Sequence, residues 1–213
     1  MDVLHLTENN QSAIVGHVVD LLRRGGAVAV PTDTVYGLVA DALRESAVRK
    51  LFRIKARSYH KALPVFVRDV AMAKHYAVID AKVTKLLDEL WPGKTTVVLR
   101  KKDTIPDAVT GGMRTVGFRI PDHPFIRALT DAYPNPLAET SANISGSEPA
   151  GSASEVQNTF HRHIPAPDLL VDGGRIEPAG PSTVLDLTMP SNPKILRMGA
   201  ITKEELDKLL ATH

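Results

Sequence analysis

The sequence predicts an α/β protein: a twisted mixed β-sheet flanked by helices. Apolar segments with strand-like and helix-like periods alternate along the chain, and no internal repeat or long linker interrupts them. The third observation is that 43% of the 213 residues are hydrophobic, ample for one core. A single domain over residues 1–213 is the economical reading.

The elements follow in order. Ile14, Val15, Val18, Val19 and Leu22 recur at helical spacing and Gly25 with Gly26 supplies a stop, so a helix precedes a strand at 27–30. A second helix is expected from about Glu45 to Arg57, with Val48, Leu51 and Phe52 inward. Then come a strand in "LPVFV", a helix across "AKVTKLLDELW" ended by Pro92 and Gly93, and a strand in "TTVVLR". A strand in "VGFRI", a helix in "PFIRALTDAY" and a short strand near "PLAET" continue the pattern. "SGSEPAGSAS" reads as loop and runs into a helix start around Ser152 to Glu155. "LLVDGG", "STVLDL" and "KILRMG" carry three short strand signals before a capped terminal helix, "TKEELDKLL". Strand order does not follow from these signals.

Bulk properties exclude several classes of protein. The absence of cysteine rules out disulfides, thiolate metal sites and a cysteine nucleophile. No apolar run approaches membrane-spanning length, and "MDVLHLTENN" lacks a basic segment followed by an apolar one, so a cytoplasmic protein with no membrane association is expected. A formal charge of +2 is too small to diagnose nucleic-acid binding, although the pI near 8.8 leans that way. "RKK" at 100–102 and "RR" at 23–24 lack flanking aromatics and read as solvated element ends.

Chemistry concentrates at strand ends. "AVAVPTDTVYGL" stops an apolar run at Pro31 and opens into Thr32, Asp33, Thr34 and Tyr36, a corner of the kind that binds ligands in α/β proteins or simply turns the chain. Lys55, Arg57 and Lys61 gather where the second helix gives way to loop. They complement the helix dipole or clamp phosphates; with no Walker loop and no G-x-G-x-x-G, a nucleotide would need such side chains. "TSANISG" offers Ser141, Asn143 and Ser145 for a turn or for an anion, and "GPSTVLDL" repeats the theme with Ser182 and Thr183. Arg119 sits inside an apolar strand, costly unless paired with an anion or carboxylate, and Arg197 is similarly set. "HRH" at 161–163 lacks a third metal ligand and reads as a surface pair; no G-x-S-x-G or H-E-x-x-H occurs.

"PTDTVYGL", "KAR", "VGFRIP", "SANISG", "PSTVLDL" and "RMG" occur in the order and approximate spacing of the YrdC-type threonylcarbamoyl-AMP synthases, which the chain resembles from about residue 10 to 200. The resemblance implies a single YrdC-like domain with a basic concave cavity, ending before the extra C-terminal domain of longer members. It implies synthesis of L-threonylcarbamoyl-AMP from L-threonine, bicarbonate or CO2 and ATP, with pyrophosphate release. That is the first step of modifying the adenosine beside the anticodon of tRNA, completed by threonylcarbamoyl-transferase complex proteins. Thr32 and Tyr36 would then meet threonine, Arg119 its carboxylate, and Ser182 threonine or its carbamate. Lys55 and Arg57 would hold the triphosphate and act catalytically; Thr115, Ser141, Asn143 and Arg197 would meet the nucleotide. Mg2+ would be held mainly by phosphates, with no metal cage from the protein. Ala62 and Phe66 depart from the family's usual loop, and the loop at 145–154 is expected to act as a lid. A non-catalytic double-stranded RNA or tRNA module on the same fold, a paralogue with altered activity, and a hydrogenase-maturation-type carbamoyl-adenylating domain are the rival readings.

Overall fold

The protein is described from a computed structural model, which covers residues 1–177 and 180–211. Its strands are β1 (Asp2–His5), β2 (Val28–Val30), β3 (Gly37–Asp41), β4 (Val65–Phe66), β5 (Thr95–Arg100), β6 (Thr115–Arg119), β7 (Leu137–Ser141), β8 (Leu169–Asp172), β9 (Thr183–Asp186) and β10 (Lys194–Arg197). Its helices are α1 (Gln11–Arg23), α2 (Glu45–Lys55), α3 (Val70–Tyr76), α4 (Ala81–Leu90), α5 (Asp107–Thr110), α6 (Pro124–Ala132), α7 (Ala153–Phe160) and α8 (Lys203–Ala211). The strands form one mixed sheet in the order β1-β8-β2-β3-β7-β4-β6-β5-β9-β10. The expected mixed sheet flanked by helices is therefore present. Among the described residues no helix is long and apolar enough to cross a membrane.

Two strands and two short helices escaped the sequence reading. β1 lies in the N-terminal stretch and pairs in parallel with β8. β3 follows the Pro-Thr-Asp-Thr corner at once and returns antiparallel to β2, so that corner links two strands. α2 ends at Lys55, two residues earlier than expected, because Ala56 takes a left-handed backbone (φ 50°) and breaks the helical path. Elsewhere local chemistry matches position. Asp80 caps α4 by accepting from the Val83 N–H, and Ser152 caps α7 by accepting from the Glu155 N–H.

Side chains alternate across each strand, so the sheet has two faces. On one face α2, α4 and other helices pack over Leu38, Ala138, Val65, Phe118, Val97 and Leu185. The other face is divided. Over β8, β2, β3 and β7, residues such as Val28, Val39, Leu137 and Val171 are roofed by Val18 and Leu22 of α1 and Phe125 and Leu129 of α6. The pairings Leu137↔Phe66↔Arg119 carry this same face onward into β4 and β6, and Gly117↔Val98 and Thr96↔Val184↔Arg197 extend it through β5, β9 and β10. There the helical roof stops.

Candidate active site

The unroofed half of that face is the floor of a cavity of about 400 Å³. Its sheet residues include Gly117 and Arg119 from β6, Thr96 and Val98 from β5, Glu139 and Ser141 from β7, Val184 from β9 and Arg197 from β10. Gly117 keeps the floor deep: a Cβ there would lie 3.1 Å from Thr96 Cγ2. Thr34, Pro149 and Ser182 close the walls, and Arg57 enters from the loop after α2.

Arg119 is almost fully buried and is held from three sides. Its Nε donates to Gly93 O (2.9 Å), Nη1 to Thr34 Oγ1 (3.2 Å) and Nη2 to Asp33 Oδ1 (2.6 Å). The ion pair with Asp33 leaves the two side chains 4% and 7% exposed. The carboxylate that a buried arginine requires is thus supplied by the corner after β2. Three of five guanidinium N–H donors are spent in this way, leaving two for a ligand.

Ser182 and Arg197 build the opposite wall together. Arg197 donates through Nη2 to Ser182 O (2.7 Å) and to Ser182 Oγ (3.2 Å). Ser182 Oγ also pairs with Thr96 Oγ1 at 2.9 Å, which anchors it to the floor. Arg197 is exposed at the rim, whereas Arg57 is partly buried, donating from Nη2 to Ala62 O (3.0 Å) with its Nε lacking a partner. Ala62, one of the departures noted in the sequence, lines the cavity; Phe66, the other, belongs to the roofed core.

The K-x-R pair splits. Ala56 turns the chain so that Arg57 reaches the cavity while Lys55 points into the "TSANISG" segment. Lys55 Nζ donates to Ser141 O (2.7 Å), Ser141 Oγ (3.0 Å), Asn143 O (3.1 Å) and Asn143 Oδ1 (2.5 Å). Burial pushes its pKa down to about 8, against the pull of Glu139 and reinforced by Arg57. Asn143 spends its amide N–H groups on Ile144 O and Ser147 O. Ser141 lines the cavity, and Lys55 and Asn143 form the brace behind it.

Thr32 and Tyr36 also stand behind the wall. Thr32 Oγ1 donates to Val35 O (2.6 Å) and accepts from the N–H groups of Thr34 and Val35, fixing the corner, so Thr34 is the threonine that lines the cavity. Tyr36 donates to Gly174 O (2.7 Å) and accepts from Gly173 N–H, and burial raises its pKa to about 12. Thr115 shares the floor's face two residues before Gly117 but lies outside the lining. Pro149 lines the cavity from the Ser/Gly/Pro-rich loop, which is tied by Ser145 N–H to Lys55 O and by Tyr36 N–H to Ala150 O.

Glu139 was missed by the sequence reading. It precedes Ser141 by two positions on β7 and therefore shares its face, a signal available from strand period alone. Its carboxyl is held above the usual range by burial, opposed by the positive charges of Arg119, Lys55 and Arg197. Among the described residues no group of three or more His, Asp or Glu is arranged to hold a metal.

A twisted mixed sheet with a basic cavity laid on the unroofed half of one face defines the class of this protein. Residues 20–199 match the Sua5/YciO/YrdC family, described as "Telomere recombination", and the chain belongs to that family. It is 34% identical over 209 residues to the threonylcarbamoyl-AMP synthase of Pyrococcus abyssi, covering 98% of this chain and 60% of that protein. With the putative threonylcarbamoyl-AMP synthase of Methanocaldococcus jannaschii it shares 35% identity over 185 residues, 87% of this chain and 86% of the relative. The crystal structure of P. abyssi Sua5 complexed with L-threonine superposes with a TM-score of 0.91 at 33% identity, over 98% of this chain and 61% of that one. E. coli YciO superposes with a TM-score of 0.80 at 28% identity, over 93% and 94% of the two chains. The chain thus spans about 60% of the length of the P. abyssi protein.

Proposed function

We propose that the protein condenses L-threonine, bicarbonate or CO2 and ATP into L-threonylcarbamoyl-AMP with release of pyrophosphate, for transfer by partner proteins to tRNA. The observation that carries this reading is the convergence of Arg57, Arg119 and Arg197 on one cavity with the hydroxyls of Thr34, Ser141 and Ser182. Arginines suit phosphate and carboxylate through forked donors, and hydroxyls suit an amino alcohol. The relatives' name and the threonine bound to P. abyssi Sua5 support the choice of substrate.

Threonine lies with its carboxylate on the two remaining donors of Arg119. Its amine captures CO2, and an oxygen of the resulting carbamate attacks the α-phosphorus while pyrophosphate departs. Arg57 and Arg197 stabilise charge gathering on the phosphates, and the protein contributes position and field rather than a nucleophile. Lys55 acts one step back, holding Ser141 and Asn143. Bound to the phosphates of ATP, Mg2+ would supply further charge neutralisation there; among the described residues Glu139 is the one carboxylate lining the cavity and stands among cations, which does not make a metal cage. The loop at 145–154 shields the labile carbamate from water.

The test is pyrophosphate release from ATP with bicarbonate and Mg2+, with and without L-threonine and with serine as control. Threonine-dependent release together with the mass of threonylcarbamoyl-AMP is expected. No release, with no binding of threonine or ATP by calorimetry, overturns the reading.

A further inference from the structure

Within the cavity one group has no assigned task. Glu139 projects from the centre of β7 onto the floor, and its Oε1 would stand 3.1 Å from a Cβ on Gly37. Among the described residues its carboxylate makes no hydrogen bond and no direct ion pair, although Arg119, Lys55, Arg57 and Arg197 surround it and Asp33 adds a like charge. The hydrogen bonds that these cations make go elsewhere: Arg119 to Asp33, Lys55 to the Ser141–Asn143 turn, Arg57 to Ala62 O and Arg197 to Ser182, while two Arg119 donors and Arg57 Nε stay open. Glu139 is left as a free acceptor facing the space where an amino acid would lie.

We propose that Glu139 is the base that takes the ammonium proton of the amino-acid substrate, an inference that rests on the threonine-dependent reaction above. Threonine reaches the site as an ammonium, whose nitrogen has no lone pair to give. Glu139 accepts one N–H proton and becomes a carboxylic acid. The freed lone pair forms an N–C bond to CO2, one C=O π pair becomes an oxygen lone pair, and the second N–H proton passes to water. Glu139 then returns its own proton to water. The cations about it, Arg119 from β6, Lys55 and Arg57 at the end of α2 and Arg197 from β10, keep it from becoming too basic to reset, while burial and Asp33 keep it basic enough to act.

The sign follows from the role. Glu139 works ionised, so turnover rises with pH through its raised pKa and is lost below it. Threonine-dependent pyrophosphate release is measured across pH for the wild type and for Glu139→Gln, which keeps the side-chain shape. The expected result is a fall in kcat of about 100-fold, a KM for threonine changed only a few-fold, and loss of the acid limb. Glu139→Ala with added formate is expected to regain part of the rate. An unchanged acid limb in E139Q overturns the proposal, as does a raised KM with kcat intact, which would make Glu139 an ammonium-binding group. If E139Q melts early, Glu139→Asp takes its place: a lowered kcat with the acid limb kept supports the role, and a lost limb overturns it. A wild type with no threonine-dependent release fails differently, removing the reaction itself and the carboxylate's role with it.

Discussion

The two halves of one sheet face differ in what covers them. Over β8, β2, β3 and the start of β7, with Phe66 of β4, α1 and α6 make an apolar roof; from Glu139 and Ser141 of β7 across β6, β5, β9 and β10 the same face holds arginines, hydroxyls and a carboxylate around open space. The sheet runs continuously through both, so the change is made by side chains and by where the helices stop. One half serves stability and the other binding, and substitutions should separate the two.

The largest effect is expected in the roofed half. Phe125→Ala, from the underside of α6, should cost about 3–5 kcal/mol in urea unfolding through lost burial and an unfilled cavity. A cost below about 1 kcal/mol would mean that the roof is not what stabilises this half. At the seam, Arg119→Ala should cost about 3 kcal/mol because it strands the buried Asp33 carboxylate, and Arg119→Ala with Asp33→Ala should cost less than the sum of the singles. Additive losses in that cycle would show that the pair is not coupled. In the open half, Arg57→Ala should lower pyrophosphate release about 100-fold while changing stability by about 1 kcal/mol or less, since it forfeits a single bond to Ala62 O. A destabilisation matching that of Phe125→Ala would erase the contrast between the halves. The smallest effect is assigned to Ala56→Gly, which relieves a left-handed backbone at a helix end and should raise stability by about 1 kcal/mol or less.

What was legible in the sequence follows the same division. The α1 stripe and the strand signals in "TTVVLR" and "VGFRI" are strong local periods, and all three elements appear where expected. β3 was invisible because all five of its residues are buried, so no polar alternation marks it. The residues of the site were largely legible as chemistry but not as geometry. Thr32 and Thr34 look equivalent in "PTDT", and a turn closed by the Thr32 hydroxyl decides which one faces the cavity. Lys55 and Arg57 look like one clamp, and the backbone reversal at Ala56 sends them apart. Asp33 as the partner of Arg119 joins positions 86 residues apart, beyond the reach of any local pattern.

The strand order also dictates when the site comes into being. β2, β3, β7, β4, β6 and β5 are contiguous in the sheet and all lie between residues 28 and 141, so a chain emerging from the ribosome can lay down this block first. β8 then joins one flank beside β2, and β9 with β10 joins the other beside β5. Arg57, Arg119 and Glu139 belong to or adjoin the early block, whereas Ser182 and Arg197 ride on the last strands to dock. The nascent protein therefore carries two bare strand edges, open to wrong partners, until β8, β9 and β10 have been made. Its cavity gains its second wall only when β9 and β10 have docked.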